Sequence, residues 1–190
     1  MDERQVHSVV AHSLELKRRF FEAQAAHVLA VGRVMVARLR AGSKVLVFGN
    51  GGSAADAQHF AGELVGRFRR DRAALPAIAL GTDAAIVTAV GNDLGFERVF
   101  ERQLEALGRA GDVALAISTS GRSPNVLAAL RLARARGLVT VGLTGRGGGD
   151  VAALVDHLID VPDPDTPRIQ EVHGMVVHLL CELIEEEAGA

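Results

Sequence analysis

His59 and Glu63 stand four residues apart in a stretch, Ser53 to about Arg69, that reads as a helix following a Gly-rich turn. That spacing puts both side chains on one helix face. An imidazole beside a carboxylate can ligate a divalent metal, or the two can divide acid and base work. Equally, the pair could be an ordinary surface contact, or His59 a histidine satisfied in the core. Upstream lies the turn itself, Phe48-Gly49-Asn50-Gly51-Gly52-Ser53-Ala54-Ala55-Asp56. A second junction, Ile117-Ser118-Thr119-Ser120-Gly121-Arg122-Ser123-Pro124-Asn125, carries more hydroxyls than a turn needs. In both, small residues let the backbone approach a ligand, and the following helix N-terminus offers free N–H groups and partial positive charge. No Gly-Lys-Ser/Thr follows either loop, and Gly49-Asn50-Gly51-Gly52-Ser53-Ala54 lacks the third glycine of the dinucleotide pattern. A phosphate monoester is therefore favoured over a nucleotide. Gln170 and His178 fall on the last predicted helix, where a lone histidine is more often structural. By themselves Asn92-Asp93 read as a plain turn.

These groups need a frame. The first forty residues hold no Pro, and no Gly before Gly32. Val9, Val10, Leu14, Leu16, Phe20, Phe21, Ala25, Val28 and Leu29 fall broadly at helical spacing, predicting one or two long helices that stop near Gly42. Short apolar runs then alternate with helical stretches: Lys44–Phe48, Ala77–Leu80, Val113–Ile117, Val139–Leu143 and Leu158–Val161. Continuous apolarity suits strands buried on both faces, and the rhythm predicts an α/β fold with a parallel sheet between helical layers. Ser123-Pro124 opens a helix to about Arg136 with an N-cap and a first-turn proline, and the last helix runs roughly Thr166 to Glu187. Gly145 to Asp150 reads as a flexible loop.

Composition narrows the function classes. A chain of 190 residues, 48% hydrophobic, suits one domain, 1–190, with 1–42 as an N-terminal helical extension. A net charge of −2 supplies no global field for nucleic acid, and the lack of Trp and Tyr argues against a base-stacking surface. Cys181 is the single cysteine, which excludes an internal disulfide. The start Met1-Asp2-Glu3-Arg4-Gln5 is not that of a signal peptide, and no run of about 18 apolar residues predicts a membrane span. A cytoplasmic protein with no membrane or nucleic-acid partner is expected.

The two loops resemble those of the sugar isomerase (SIS) superfamily, and Gly49 through His59 is similar to the phosphoheptose isomerase family specifically. The likeness continues through Gly91-Asn92-Asp93, Gly95-Phe96, Ile117 to Gly121, and Arg168-Ile169-Gln170-Glu171-Val172-His173. It implies an SIS-type three-layer sandwich and a homotetramer whose N-terminal helices pack between subunits, with active sites shared across interfaces. It implies conversion of sedoheptulose 7-phosphate to D-glycero-D-manno-heptose 7-phosphate, the first step towards a nucleotide-activated heptose, through a cis-enediol. Glu63 would be the base and His178 the acid. One zinc ion per subunit would be held by His59, Glu63, Gln170 and His178. Substrate contacts would map onto Asn50, Gly51, Gly52, Ser53, Glu63, Asn92, Asp93, Ser118, Thr119, Ser120, Ser123 and Gln170. Arg67 matches a family position too, though a solvated helix face accounts for it equally. One tension stands: a straight helix separates Gln170 from His178 by about 12 Å of rise. Pro162 to Pro167 should border the site. Non-catalytic relatives of the family bind a replication initiator protein but lack the carboxylate and final histidine that are present here, and isomerases of other sugar phosphates share the same loops.

Overall fold

The computed structural model describes residues 1–188. Helix α1 (Glu3–Arg40) opens with a capping box: Gln5 N–H donates to the Asp2 carboxylate while Asp2 N–H donates to the Gln5 side chain. It runs unbroken, one helix where one or two were expected, and Arg38 and Arg40 in its last turn complement the dipole. Among the described residues α1 alone is long and apolar enough to cross a membrane by length and composition. Its stripe of Leu16, Phe20, Val28, Val31, Met35, Val36 and Leu39 is buried in the core.

Five strands follow, β1 (Val45–Gly49), β2 (Ala77–Ala79), β3 (Val113–Ser118), β4 (Val139–Gly145) and β5 (His157–Val161), all parallel and ordered β2-β1-β3-β4-β5. The expected runs are these strands, shifted by one or two residues at their ends. Val45 and Val47 of β1 face a core shared with α1, α2 (Gly52–Val65) and α6 (Thr166–Ala188). Leu46 and Phe48 face a second core, roofed by α4 (Val99–Leu107) and α5 (Pro124–Ala135). Period-two alternation thus buries both faces of every residue in β1, which is why its sequence is apolar throughout. The short α3 (Ala84–Asp93), capped by Asp83, has no buried residue.

The strand order places the topological switch between β1 and β3. In open parallel sheets that crevice, at the carboxyl ends, is where ligands bind. Both candidate loops leave the sheet there: Asn50 to Gly52 after β1, and Thr119 to Ser123 after β3.

Gly145 to Asp150, expected as a flexible loop, is packed instead. Val151 N–H donates to Gly121 O, and Gly147 N–H donates to Asp160. Gly121 (φ +61°) and Gly148 touch so closely that a Cβ on Gly121 would overlap the Gly148 carbonyl. The second loop therefore rests on the loop after β4.

His173 ties α6 to the sheet. Its Nε2–H donates to Thr144 O at 2.9 Å, it is fully buried, and Nδ1 has no partner. Burial pushes its pKa down to about 4, against a smaller upward effect of the Thr144 carbonyl. The unfolded chain takes up this proton near pH 6.5, whereas the folded one resists it until about 4. Stability from this group is thus complete above pH 6.5 and drains as pH falls towards 4, on the order of 3 kcal/mol in all. Urea unfolding should show wild type losing about 0.7 kcal/mol more than His173→Leu between pH 7 and 6, and about 1.2 kcal/mol more between pH 6 and 5. Parallel pH slopes for the two proteins would remove His173 as the cause.

Candidate active site

The chemistry gathers where α2 lies beside α6. His59 Nε2–H donates to Glu63 Oε1 at 3.1 Å, the i, i+4 pair expected on one face. From α6 the His178 ring meets His59 edge-on, centroids 4.8 Å apart and Nε2 to Nε2 3.3 Å. Phe68, just past α2, lies on the other side of His178, with ring centroids 5.7 Å apart. The His59 side chain is 43% exposed and that of Glu63 23%, so the group opens to solvent and can be reached by a ligand.

Gln170 sits one end further along the same seam. Its amide covers Gly52, so closely that a Cβ there would come within 2.6 Å of its nitrogen. Gly52 and His59 are separated by about 10 Å of helix rise, and α6 is continuous between Gln170 and His178. The tension in the sequence is therefore real within one protomer. No hydrogen bond among the described residues joins Gln170 to His59, Glu63 or His178.

Nitrogen and carboxylate donors from three side chains meet here within 3.3 Å. Zinc–nitrogen bonds of about 2.0–2.1 Å in a tetrahedron put neighbouring ligand atoms about 3.3 Å apart, so the donor types and spacings fit a divalent ion. The three form a row centred on His59 rather than a closed cage, and no group of three His, Cys, Asp or Glu among the described residues is a ready-made metal site. Near them, desolvation raises the pKa of Asp56, only partly offset by His59, and one of its carboxylate oxygens is buried without a partner. Behind Glu63, burial and the Glu63 charge push the Cys181 thiol up to about 12, leaving it an inert core group.

The two loops are stapled together. Asn50 Nδ2 donates to Asn125 Oδ1 at 2.9 Å and Asn125 Nδ2 donates back to Asn50 Oδ1 at 2.8 Å. Asn125 is buried, and its oxygen also accepts from Val126 N–H. Neither α2 nor α5 has a side-chain cap, because Gly51 (φ +57°) precedes one and the Ser123 hydroxyl turns to Ser118 Oγ at 3.2 Å. Ser53 and Ala54 N–H turn back to the Asn50 and Gly51 carbonyls, and Val126 N–H turns to the Asn125 side chain. Each N-terminus thus offers an anion mainly its dipole and the loop N–H groups that precede it. Asn50, Phe96, Glu97, Ser123, Pro124 and Asn125 line a cleft of about 300 Å³ at this junction.

A family model for the SIS domain matches residues 10–145. A phosphoheptose isomerase of Nitratidesulfovibrio vulgaris is 53% identical over 180 residues, covering 93% of this chain and 86% of its own. The solved phosphoheptose isomerase of Neisseria gonorrhoeae superposes with a TM-score of 0.92 at 43% identity, covering 97% of this chain and 98% of its own. That of Francisella tularensis gives 0.94 at 38% identity, covering 98% and 100%. The chain belongs to the phosphoheptose isomerase family.

For a phosphoheptose isomerase family member, the expected site residues divide into three groups in this fold. Glu63 and His178 each contact His59, which lies between them. Asn50, Gly51, Gly52 and Ser53 share the switch point with Ser118, Thr119, Ser120 and Ser123, and Gln170 lies over the first loop. Asn92 and Asp93 end α3, exposed and bonded to each other at 2.7 Å, with no hydrogen bond to either loop. Arg67 is exposed. The Pro162 to Pro167 segment is tied on two sides: buried Asp163 accepts from His12 of α1 at 2.8 Å, and Arg146 of the loop after β4 donates to Pro164 O at 2.6 Å and to Thr166 Oγ1 at 3.0 Å. Reading the sequence alone misses Asn125 as a loop-to-loop partner, although it closes the hydroxyl-rich motif. Asn125→Ala should cost about 1–3 kcal/mol, since the Asn50 amide loses both partners, and Asn50→Ala on top should add little. Additive losses in chemical denaturation would show that the amides do not act as a pair.

Proposed function

We propose that this protein interconverts sedoheptulose 7-phosphate and D-glycero-D-manno-heptose 7-phosphate, with Glu63 and His178 as base and acid. The single observation carrying this reading is the contact of His59, Glu63 and His178 across the α2–α6 seam, one helix length from two loops built for an anion. The hydroxyls of Ser118, Thr119, Ser120 and Ser123, with the open N-terminus of α5, hold the phosphate. Asn50, the Gly51–Gly52 backbone and Ser53 hold sugar hydroxyls, and Gln170 reaches them from above. Glu63 takes the C1 proton of the open-chain ketose, giving the cis-enediol, and a proton returned at C2 completes the aldose. His178 moves protons between the two oxygens, so that no free enediolate charge builds up. His59, Glu63 and His178 would hold a zinc ion, which when bound polarises the carbonyl oxygen; Gln170, which lies over Gly52 about 10 Å of helix away, is too far to join them within one protomer.

The working form under this reading is a cytoplasmic homotetramer with shared sites, to which a neighbour brings Asn92, Asp93 or Arg67. Its support is apolar surface without cover in one protomer. Val6, Val9, Val10 and Leu14 of α1 are exposed, α3 has no fully buried residue, and Phe21, Val28, Leu29, Leu179 and Leu183 line an open groove between α1 and α6.

Glu63→Gln and His178→Gln should each lower kcat on the heptulose phosphate by at least about a hundredfold, the usual worth of an acid or base group, with folding intact by circular dichroism. Stripping metal with a chelator should lower the rate and added zinc restore it. A folded wild type that turns over neither this heptulose nor a shorter ketose phosphate would contradict the proposal and favour the non-catalytic binding role.

A further inference from the structure

Two buried charges behind the site take no part in the chemistry. Glu185, near the end of α6, accepts backbone N–H groups from three successive residues, Phe68 at 2.9 Å, Arg69 at 2.8 Å and Arg70 at 2.9 Å. Arg72 Nε donates to the same carboxylate at 3.2 Å, and both side chains are only 3% exposed. The rest of the guanidinium caps the last turn of α2: Nη2 donates to Glu63 O at 2.8 Å, and Nη1 to Leu64 O and Ala73 O, each at 2.9 Å. Burial works to raise the Glu185 pKa, but the three amides and Arg72 together hold it below the ordinary carboxylate range.

A buried ion pair is poor value as a stabiliser, because desolvation offsets its attraction and an apolar pair would often serve as well. What this pair does is fix geometry at two points. Arg72 holds the backbone of Glu63, and Glu185 holds the backbone of Phe68, whose ring lies against His178. On the outer side the Arg69 guanidinium stacks on Phe68, 5.1 Å from its centroid, and Arg69 pairs with Glu182 at 2.5 Å. The turn after α2 is thus clamped from both sides, and it ends on the acid and the base.

We infer that Glu185, Arg72 and Phe68 are positioning residues that set the Glu63 carboxylate and the His178 ring at the distance proton transfer requires. This rests on the reading of Glu63 and His178 as base and acid. Displacement of a reacting group by about 1 Å costs up to a hundredfold in rate, so the clamp acts on kcat and not on phosphate binding, which belongs to the loops at the other end of α2.

The test is steady-state kinetics on the metal-replete protein with Phe68→Leu, Phe68→Tyr, Glu185→Gln and the Phe68→Leu/Glu185→Gln double variant. Phe68→Leu should lower kcat about tenfold with KM unchanged within twofold, and Phe68→Tyr, which keeps the ring, should restore it. The double variant should be no slower than the slower single, since both act along one line. Should Glu185→Gln not fold, the two Phe68 variants decide alone. Wild-type kcat in Phe68→Leu, or a loss confined to KM, overturns the inference while leaving the acid–base assignment intact. Full activity in Glu63→Gln or His178→Gln would overturn that assignment instead.

Discussion

Helices α2 and α6 run side by side in the same direction, and every feature of the site hangs on that contact. Gln170 meets Gly52 at one end, His178 meets His59 a turn or two on, and Glu185 gathers the exit of α2 at the other. The seam is apolar beneath: Ala57, Phe60, Ala61 and Leu64 pack into the core that also holds Val176, Val177, Leu180 and Ile184. A close approach needs small residues at the crossing, and Gly52 supplies one where even a methyl group would strike the Gln170 amide. The Phe, Leu, Val and Ile side chains among these contribute about 1.5–3 kcal/mol each on burial, ample to hold polar groups above them in a fixed arrangement.

The sheet sets where that seam begins. Placing β1 beside β3 brings two chain segments far apart in sequence to one crevice, and the Asn50–Asn125 amide pair locks them in register. Each loop then opens a helix that has no side-chain cap and points its dipole at the crevice. Under the proposed function, anion binding at one end of α2 and proton transfer further along it are two tasks of a single helix.

Much of this was legible in the sequence because it is local. Continuous apolar runs mark strands buried on both faces, Ser123-Pro124 marks a helix start, and the i, i+4 spacing of His59 and Glu63 needs no tertiary knowledge. What pairs across the chain was not legible from pattern alone. His178 meets His59 from 119 residues away, and Asn125 meets Asn50 from 75. Those contacts depend on strand order and helix packing, which periodicity does not encode. Gly145 to Asp150 misled for a related reason: glycines that read as freedom are there so that two loops can touch. Only the family resemblance joined His178 to His59 and Glu63 beforehand, and Glu185 with Arg72 carried no signal at all, as charges in helical stretches normally face water.

The central claim is that the sugar is isomerised by proton transfer at Glu63 through an enediol, and its most direct measurement is isotopic. The heptulose phosphate is turned over in deuterium oxide and the aldose product examined by NMR at C2. Deuterium at C2, with some washed into C1 of recovered ketose, is the result predicted for a carboxylate that removes and exchanges the proton. An aldose carrying only hydrogen at C2 at any extent of reaction, formed as fast by Glu63→Gln as by wild type, would mean a direct hydride shift and would contradict Glu63 as the base.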